Sequence, residues 1–373
     1  MNKQGNEAAR FDDWLVDESD VAALVMRQWL EPVEGKDAVI FPPTYPLEQN
    51  KAGYNIDPLN DGSNVCQIDS VGSQANRMEP IFKRKKYKHL VPQVTIKAGT
   101  RTVHLLDAGH RAADAIVRFS TLGGDLFSAF DAYRKNGDAE PLAKIAPTSI
   151  VFGAWDSRAT QVKLPRIVRS VIRAYDVDEL TRSAQYTTIA GEILEEGEAE
   201  VTTRGLKAEL GLAHVPAART HGGVRVRGEI RRDAILNLAA LRAVAAPYRE
   251  RTMRLRRYLL GLSLVAITAP QEPNLREGCE LVADPQRGTQ WTVVKHDGTR
   301  ENYTIAHEEA LAFATAAAES FRVGEDRTGE FKEKIAKEIL TMKGEDAKKL
   351  LRQGAITEEA LERIRKKTKK GSE

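Results

Sequence analysis

The chain has 373 residues, of which 42% are hydrophobic and 29% are charged, and its formal net charge is only +3. The hydrophobic share supports a sizeable core, the charged share is typical of a soluble protein, and the weak net charge excludes a globally basic chain. Only Cys66 and Cys279 are present, which excludes a disulfide framework and fits a reducing cytoplasm, the expected location. Residues 1–14 lack the apolar segment of a secretory signal, and the longest apolar run, residues 258–269, is too short to span a bilayer, so we expect no membrane partner.

The first half of the chain predicts a mixture of helices and strands. Residues 11–30 have the pattern of an amphipathic helix with acidic residues at its start, and the prolines of residues 41–46 predict an extended segment. Residues 65–68 alternate like a short strand. A helix is predicted for residues 106–119, with Asp107 as its N-cap.

The second half adds further elements. Residues 149–153 predict a buried strand, and residues 166–175 predict a second strand, although three arginines there would also align on a helix face. Residues 233–246 predict a helix, and the apolar residues 261–268 a last strand. Beyond them we predict an alanine-rich helix at residues 306–321 and short charged helices over residues 331–370.

The order β, α, β, β, α, β places the chain in the α+β class, with the topology of a ferredoxin-like or RRM-like unit. The composition changes after Pro285, where charged helical sequence begins. We therefore predict an N-terminal helical segment at 1–37, a central unit at 38–285, and a linker with a helical C-terminal appendage at 286–373.

The segment of residues 69–79 follows a predicted strand and is rich in hydrogen-bond donors. Ser73, Gln74, Asn76 and Arg77 lie beside a glycine, and almost nothing in the segment suits a core. A loop of this composition can bind phosphate and sugar oxygens. The alternative is a solvated turn whose serine caps a helix, and the segment alone leaves both interpretations open.

Positive charge is concentrated in two other places. Eleven arginines lie between Arg219 and Arg257 against three acids, and few of those acids are at helical spacing, which favours nucleic-acid contact over a solvated helix face. The polar segment of residues 155–166 carries Arg158, Lys163 and Arg166 beside Trp155. Trp155 could stack on a nucleobase or pack in the core.

The sequence offers no recognisable catalytic centre. The seven histidines form no pair at metal-ligand spacing, and there is no HExxH, CxxC, GxSxG, P-loop or GxGxxG motif. We therefore expect no metal and no cofactor. His110, at the start of a predicted helix, is a candidate general acid or base, although such a histidine more often caps or packs.

Five segments, in this order, resemble the backbone subunit of the type I-G (formerly I-U) CRISPR Cascade complex, a RAMP-superfamily protein of the Cas-seven type. They are Asp-Ser-Val-Gly-Ser-Gln-Ala-Asn-Arg at 69–77, Leu-Asp-Ala-Gly-His-Arg at 106–111, Phe-Gly-Ala-Trp-Asp-Ser at 152–157, Lys-Leu-Pro-Arg-Ile-Val-Arg-Ser at 163–170 and Arg-Arg-Tyr-Leu-Leu-Gly-Leu at 256–262. The resemblance covers roughly residues 39–284, and the first and fourth segments are the most specific.

The resemblance implies an RRM-like palm with inserted finger and thumb segments. Copies of the chain would assemble along a crRNA with other Cascade subunits, and the guide would pair with target DNA. A separate helicase-nuclease, recruited by the complex, would cut the DNA, so this subunit would not be an enzyme. The residues implied in RNA binding, with Arg158 and Arg256 added from the basic segments, are Ser73, Gln74, Asn76, Arg77, Arg158, Lys163, Arg166, Arg169, Ser170 and Arg256.

Two alternatives remain open. Related RAMP proteins cleave RNA, so the chain could be an endoribonuclease that uses Asp69, Asp156 or His110. A metabolic enzyme on an α+β fold fits poorly, because no small-molecule motif is present. Bound nucleic acid in the purified protein would separate the first two hypotheses from the third, and an RNA cleavage assay would separate the first from the second.

Overall fold

A computed structural model describes residues 10–46, 52–189, 193, 204–342, 344–352, 354, 356, 361 and 362. The protein is α+β, with a curled antiparallel main sheet. Its strands, in chain order, are β1 Val21–Pro32, β2 Val39–Ile40, β3 Thr44–Pro46, β4 Ala52–Tyr54, β5 Ile56–Pro58, β6 Asn64–Asp69, β7 Val94–Ala98, β8 Arg101–His104, β9 Ala154–Trp155, β10 Lys163–Leu164, β11 Val168–Tyr175, β12 Val177–Tyr186, β13 Val215–Val226, β14 Ile230–Asn237, β15 Asn274–Arg276, β16 Cys279–Ala283, β17 Thr289–Lys295, β18 Arg300–Tyr303 and β19 Arg327–Glu330.

The helices vary from single turns to one of 20 residues. In chain order they are α1 Asp12–Leu15, α2 Val71–Met78, α3 Ala115–Arg118, α4 Gly123–Asn136, α5 Glu140–Ala143, α6 Pro147–Val151, α7 Leu206–Glu209, α8 Leu238–Arg242, α9 Arg249–Thr268, α10 His307–Phe321, α11 Glu333–Leu340 and α12 Gly344–Arg352. Short 3-10 turns form at Glu79–Lys83, Lys88–Leu90, Leu105–Asp107 and Arg111–Ala113. No described helix is long and apolar enough to cross a membrane.

The main sheet has the strand order β15-β16-β1-β14-β11-β6-β5, and β17 also pairs with β1 and carries β18. All of these pairs are antiparallel. Side chains alternate between the two faces: Arg232, Ala234 and Leu236 of β14 are buried, whereas Arg231 and Asp233 are only partly covered. We call the buried side the inner face and the other side the outer face.

The helices cover the inner face and form the principal core. Twelve residues of α9 are buried, and α9 packs along α10, where Gly261 meets Ala314. A Cβ atom at Gly261 would lie 2.7 Å from the Ala314 Cα atom, so only glycine allows the two helices to approach this closely. A second cluster of buried side chains, which includes Ile40, Cys66 and Ile230, lies at the other end of the sheet.

The C-terminal part of the chain belongs to the folded body. β17, which follows residue 285, pairs with β1 in the main sheet, so the predicted boundary at 285/286 separates strands of one sheet. β19 pairs in parallel with β7. The last helices form a small cluster with Leu350 at its centre, against which Phe119 packs. The basic end predicted at residues 363–370 lies outside the described residues.

Several predicted elements are confirmed. The strand predicted at 65–68 is β6, the one at 166–175 is β11, and the alanine-rich helix is α10. Others are wrong: most of the helix at 11–30 is the strand β1, the strand at 149–153 is the helix α6, and the strand at 261–268 lies within α9. The helix at 233–246 begins as β14, and the helix at 106–119 is two 3-10 turns and the short α3, capped by Asp114 rather than Asp107. Short apolar runs have the same composition in a buried strand and a buried helix, so tertiary packing decides between them.

The first prediction concerns the C-terminal cluster. Leu350 is fully buried, whereas Leu340 is 85% exposed. We expect Leu350→Ala to lower the free energy of unfolding by about 2–4 kcal/mol, because it leaves a cavity, and Leu340→Ala to change it by less than about 0.5 kcal/mol. Urea unfolding followed by circular dichroism measures both variants, and equal values for the two would contradict this packing.

Candidate nucleic-acid interface

The donor-rich segment predicted as a loop is the helix α2, and this prediction is corrected. The alternative prediction of a serine that caps a helix is correct for the first turn of α2. Ser70 is the N-cap, and its side chain accepts a hydrogen bond from the Ser73 backbone N–H. β6 ends at Asp69, immediately before this cap. A strand that runs directly into a capped helix fixes both elements, so the polar side chains of α2 have defined directions.

A buried polar network connects α2 to the sheet. Oδ2 of Asp69 accepts hydrogen bonds from Gln74 Nε2 at 2.6 Å and from Arg77 Nε at 3.1 Å. Ser170 Oγ on β11 donates to Gln74 Oε1 at 2.8 Å and accepts from Arg232 Nε at 3.1 Å. Asp69, Gln74, Ser170 and Arg232 are all nearly inaccessible to solvent. Because buried polar groups are costly without partners, this network holds α2 in one position on the sheet.

The other polar residues of α2 lie closer to solvent. Arg77 is about one-third exposed (34%) and also donates from Nη2 to the Leu275 carbonyl at 2.6 Å. Asn76 is exposed, and its side-chain oxygen accepts a hydrogen bond from Arg111 Nη2 at 3.3 Å. Ser73 is partly buried. Of the four predicted residues in α2, Asn76 and Arg77 are therefore the best placed to meet a ligand.

Arg111 joins this region to a buried ion pair. Its Nε lies 2.7 Å from Glu79 Oε2, and both side chains are at most 6% exposed. Arg111 has a backbone φ of +53°, which is unusual for a residue with a side chain. Burial raises the pKa of the Glu79 carboxyl to about 7, against the opposing effect of Arg111.

Glu79 provides a prediction about pH. The Glu79 carboxyl binds a proton more tightly in the folded chain than in the unfolded chain, where its pKa is the ordinary 4.5. The protonated carboxyl therefore contributes fully to the free energy of unfolding below pH 4.5, and this contribution is lost as the pH rises to about 7. We expect the free energy of unfolding of the unmodified protein, relative to Glu79→Gln, to fall by about 2–3 kcal/mol over that interval. Urea unfolding at several pH values tests this, and a difference that stays constant with pH would contradict it.

A group of exposed basic residues lies in the chain segment that follows β9 and runs into β11. It comprises Arg158, Lys163, Arg166 and Arg169, all exposed. We call these four residues the basic strip. In the described ranges, the three arginines make no side-chain hydrogen bond and no ion pair, whereas Lys163 Nζ lies 5.9 Å from the centre of the Trp155 ring. Unpaired guanidinium groups are free to bind phosphate.

Paired strands carry two members of the strip, Lys163 and Arg169. β9 and β10 pair with Lys163 opposite Trp155, and Arg169 lies opposite Ile235 of β14 on the outer face. Gly153, with a φ of +78°, allows Arg166 to pass closely: a Cβ atom at Gly153 would lie 2.8 Å from Arg166 Cγ. Burial, and then the nearby Arg111, lower the pKa of Arg166. Trp155 is 60% exposed, as stacking on a base would require.

The candidate catalytic acids are both buried and bonded. Asp156 accepts hydrogen bonds from Arg118 Nη2 at 3.0 Å and from the Thr160 N–H and hydroxyl at 2.8 Å. Asp69 is enclosed in the network described above. His110 is exposed. Among the described residues, no group of three or more His, Cys, Asp or Glu side chains could hold a metal ion.

The arginine-rich stretch is largely paired within the protein. Arg256 is buried, and its guanidinium donates to the carbonyls of Leu15, Arg242 and Val244 and to Asp17. Arg257 pairs with Asp12, and Arg251 with Glu140 at 2.7 Å. These contacts favour a structural role for Arg256, for which an RNA contact stays a prediction, as it does for the other nine residues.

Sequence reasoning missed Arg111 and Arg232, the two buried arginines beside α2. Arg111 lies in the segment of residues 106–111, in which His110 is the candidate that the sequence indicates. Arg232 belongs to the arginine-rich stretch, whose composition alone does not distinguish it from the other arginines. A cation at an inward position of an alternating strand was the available signal, since such a residue is buried and requires partners.

Comparison with known proteins adds one finding. Residues 24–179 match a family described as CRISPR-associated protein GSU0053. The matched stretch is less than half of the chain, and it contains α2, the polar network up to Ser170 and the whole basic strip. No curated protein matches the chain. The family match supports a CRISPR-associated protein with a role in CRISPR defence.

Proposed function

We propose that this CRISPR-associated protein is a crRNA-binding, filament-forming backbone subunit of a type I interference complex of the I-G Cascade type. It would hold guide RNA for pairing with target DNA, next to further copies of itself and other Cascade subunits, and a helicase-nuclease would be recruited to the complex. The basic strip carries the proposal: four exposed cations lie within residues 158–169, three of them unpaired in the described structure.

The strand order supports an RRM-like palm. β17, β1, β14 and β11 are neighbours in that order, and in the chain they follow the sequence β1, β11, β14, β17. Helices α2–α6 lie between β1 and β11, and α8 and α9 lead from β14 toward β17. This is a fourth-first-third-second order of antiparallel strands, with helices in both crossovers, as in a ferredoxin-like unit. The long hairpin of β12 and β13, inserted between β11 and β14, supports a thumb.

The residues in the site would have two roles. Gln74 and Ser170 are buried and bonded to each other, so they would position α2 rather than touch RNA. Asn76, Arg77 and the basic strip would contact the RNA backbone. Contacts of this kind fix the RNA without reading its sequence, as a subunit that accepts many guides requires.

The proposal predicts a salt-dependent affinity that depends on the basic strip. Replacement of Arg158, Arg166 and Arg169 by glutamine should reduce the slope of log K against log salt by about 2, because each arginine neutralises one phosphate of a single strand. A shift assay with labelled single-stranded RNA at several salt concentrations measures the slope.

A matched control removes three exposed lysines that pair with acids elsewhere, Lys97, Lys135 and Lys337. The triple glutamine variant of these lysines loses the same charge, and its slope should stay close to that of the unmodified protein. Equal slopes for the two triple variants would show that net charge, and not the strip, determines binding.

We also predict that the protein does not cut RNA. Asp69 and Asp156 are buried in hydrogen bonds with their own neighbours, which leaves neither carboxylate free to accept a proton from a 2′-hydroxyl group. The test is incubation of the crRNA-loaded protein with labelled complementary RNA and Mg²⁺ or Mn²⁺. Regularly spaced cleavage products that disappear in Asp69→Asn or Asp156→Asn protein would contradict this prediction and would show that the protein is an endoribonuclease.

A further inference from the structure

Two adjoining cavities lie at the inner face of the main sheet, next to the segment that follows α9. Their volumes are about 260 Å³ and about 480 Å³. Both are lined by the same central residues, which are Gln28, Leu30, Arg232, Pro270, Gln271 and Leu281. Together they have the size of a typical small-molecule site.

Arg232, in the wall that the two cavities share, is a buried cation without a counter-ion. It is 3% exposed, and its hydrogen bonds go to the Ser170 hydroxyl and, weakly, to Met78 Sδ at 3.5 Å. Across the described parts of the chain, no carboxylate lies within 4.0 Å of its guanidinium. Oδ2 of Asp69, the nearest acid in its network, is already bonded to Gln74 and Arg77. Burial lowers the pKa of Arg232 to about 10, against the opposing effect of Asp69.

The smaller cavity is surrounded by further donors. Arg77 and Arg84 line it but have carboxylate partners, Asp69 and Glu272. Arg232 therefore leaves one positive charge in excess. Gln28 lies directly opposite Arg232 across β1 and β14, and it lines the same space. A single anion with several acceptor oxygens would complete this arrangement.

The larger cavity has a different character. Met26, Ile305 and Trp291 form an apolar and aromatic part of its lining, and His307 also lines it. A flat, weakly polar group would find van der Waals contact there, while a charged group attached to it would reach Arg232 through the common wall.

We propose that this cleft binds a phosphate group at Arg232 and Gln28, with the attached nucleoside in the larger cavity. The ligand class is a nucleoside phosphate, either free or as one unit of an RNA chain. If the ligand is a free nucleoside phosphate, the site is independent of the proposed RNA-binding function. If the ligand is one nucleotide of an RNA chain, the site rests on that function.

Thermal unfolding of the full chain tests the site. Adenosine 5′-monophosphate and inorganic phosphate at 10 mM are compared with adenosine and with chloride at equal ionic strength. We expect both phosphates to raise the Tm of the unmodified protein by about 2 °C or more, and adenosine and chloride to have no such effect. Arg232→Met should abolish the shift, whereas Arg173→Met, which removes a cation from the outer face, should retain it.

A second variant protects the test against a folding defect. If Arg232→Met does not fold, Gln28→Met should still reduce the phosphate-dependent shift by at least half.

RNA binding distinguishes the two sources of phosphate: if no free phosphate shifts the Tm but Arg232→Met weakens RNA binding about tenfold, the phosphate belongs to the RNA chain. The proposal is overturned if free phosphates have no effect and RNA affinity is unchanged by Arg232→Met, or if Arg173→Met loses the Tm shift equally.

Discussion

The Asp69 carboxylate is the constraint on which the candidate site depends. It lies at the end of β6, and a single oxygen accepts from both Gln74 and Arg77 of α2. Through Gln74 the contact continues to Ser170 on β11 and to Arg232 on β14. The consecutive elements β6 and α2 are thereby fixed to β11 and β14, which lie about 100 and 160 residues later in the chain. Removal of one partner would leave the others buried and unsatisfied, which is why such networks specify a single arrangement.

This network also shows that the buried polar residues have a structural role, which leaves contact with a ligand to the exposed ones. The most conspicuous polar motif of the sequence faces partly inward, where it sets the position of α2. The exposed cations come instead from residues 158–169, where Lys163 lies on β10, Arg169 lies on β11, and Arg158 and Arg166 lie in the connections beside these strands. The strands fix the positions of Lys163 and Arg169, which would suit contact with the phosphate backbone of the proposed RNA ligand.

Much of the candidate site could be predicted from the sequence. The segments at 69–77 and 163–170 were identified, and the structure brings them together through the hydrogen bond between Gln74 and Ser170. The internal ion pairs of the arginine-rich stretch could not be predicted from the sequence, because the acids that pair with it are distant in the chain. Asp12 and Asp17 lie near the N-terminus, and Glu140 lies in α5, so a search for partners at helical spacing overlooks all three.

The fold, too, could be predicted only in part from the sequence. The sequence predicted the α+β class and the alanine-rich helix α10, whose length and composition leave little ambiguity. It misassigned β1 as a helix and the end of α9 as a strand, since both are apolar segments whose conformation is decided by what they pack against. β1 pairs with β14, β16 and β17, and such long-range pairing leaves no local signal.

The most direct test of the account is ultraviolet cross-linking of the protein to uniformly labelled single-stranded RNA, followed by mass spectrometry of the cross-linked peptides. The account predicts that cross-links concentrate in peptides that contain Trp155, Lys163 and Arg169, with weaker signals from Asn76 and Arg77. Cross-links confined to other surfaces, such as the helices after residue 306, or no cross-links under conditions of RNA binding, would contradict it.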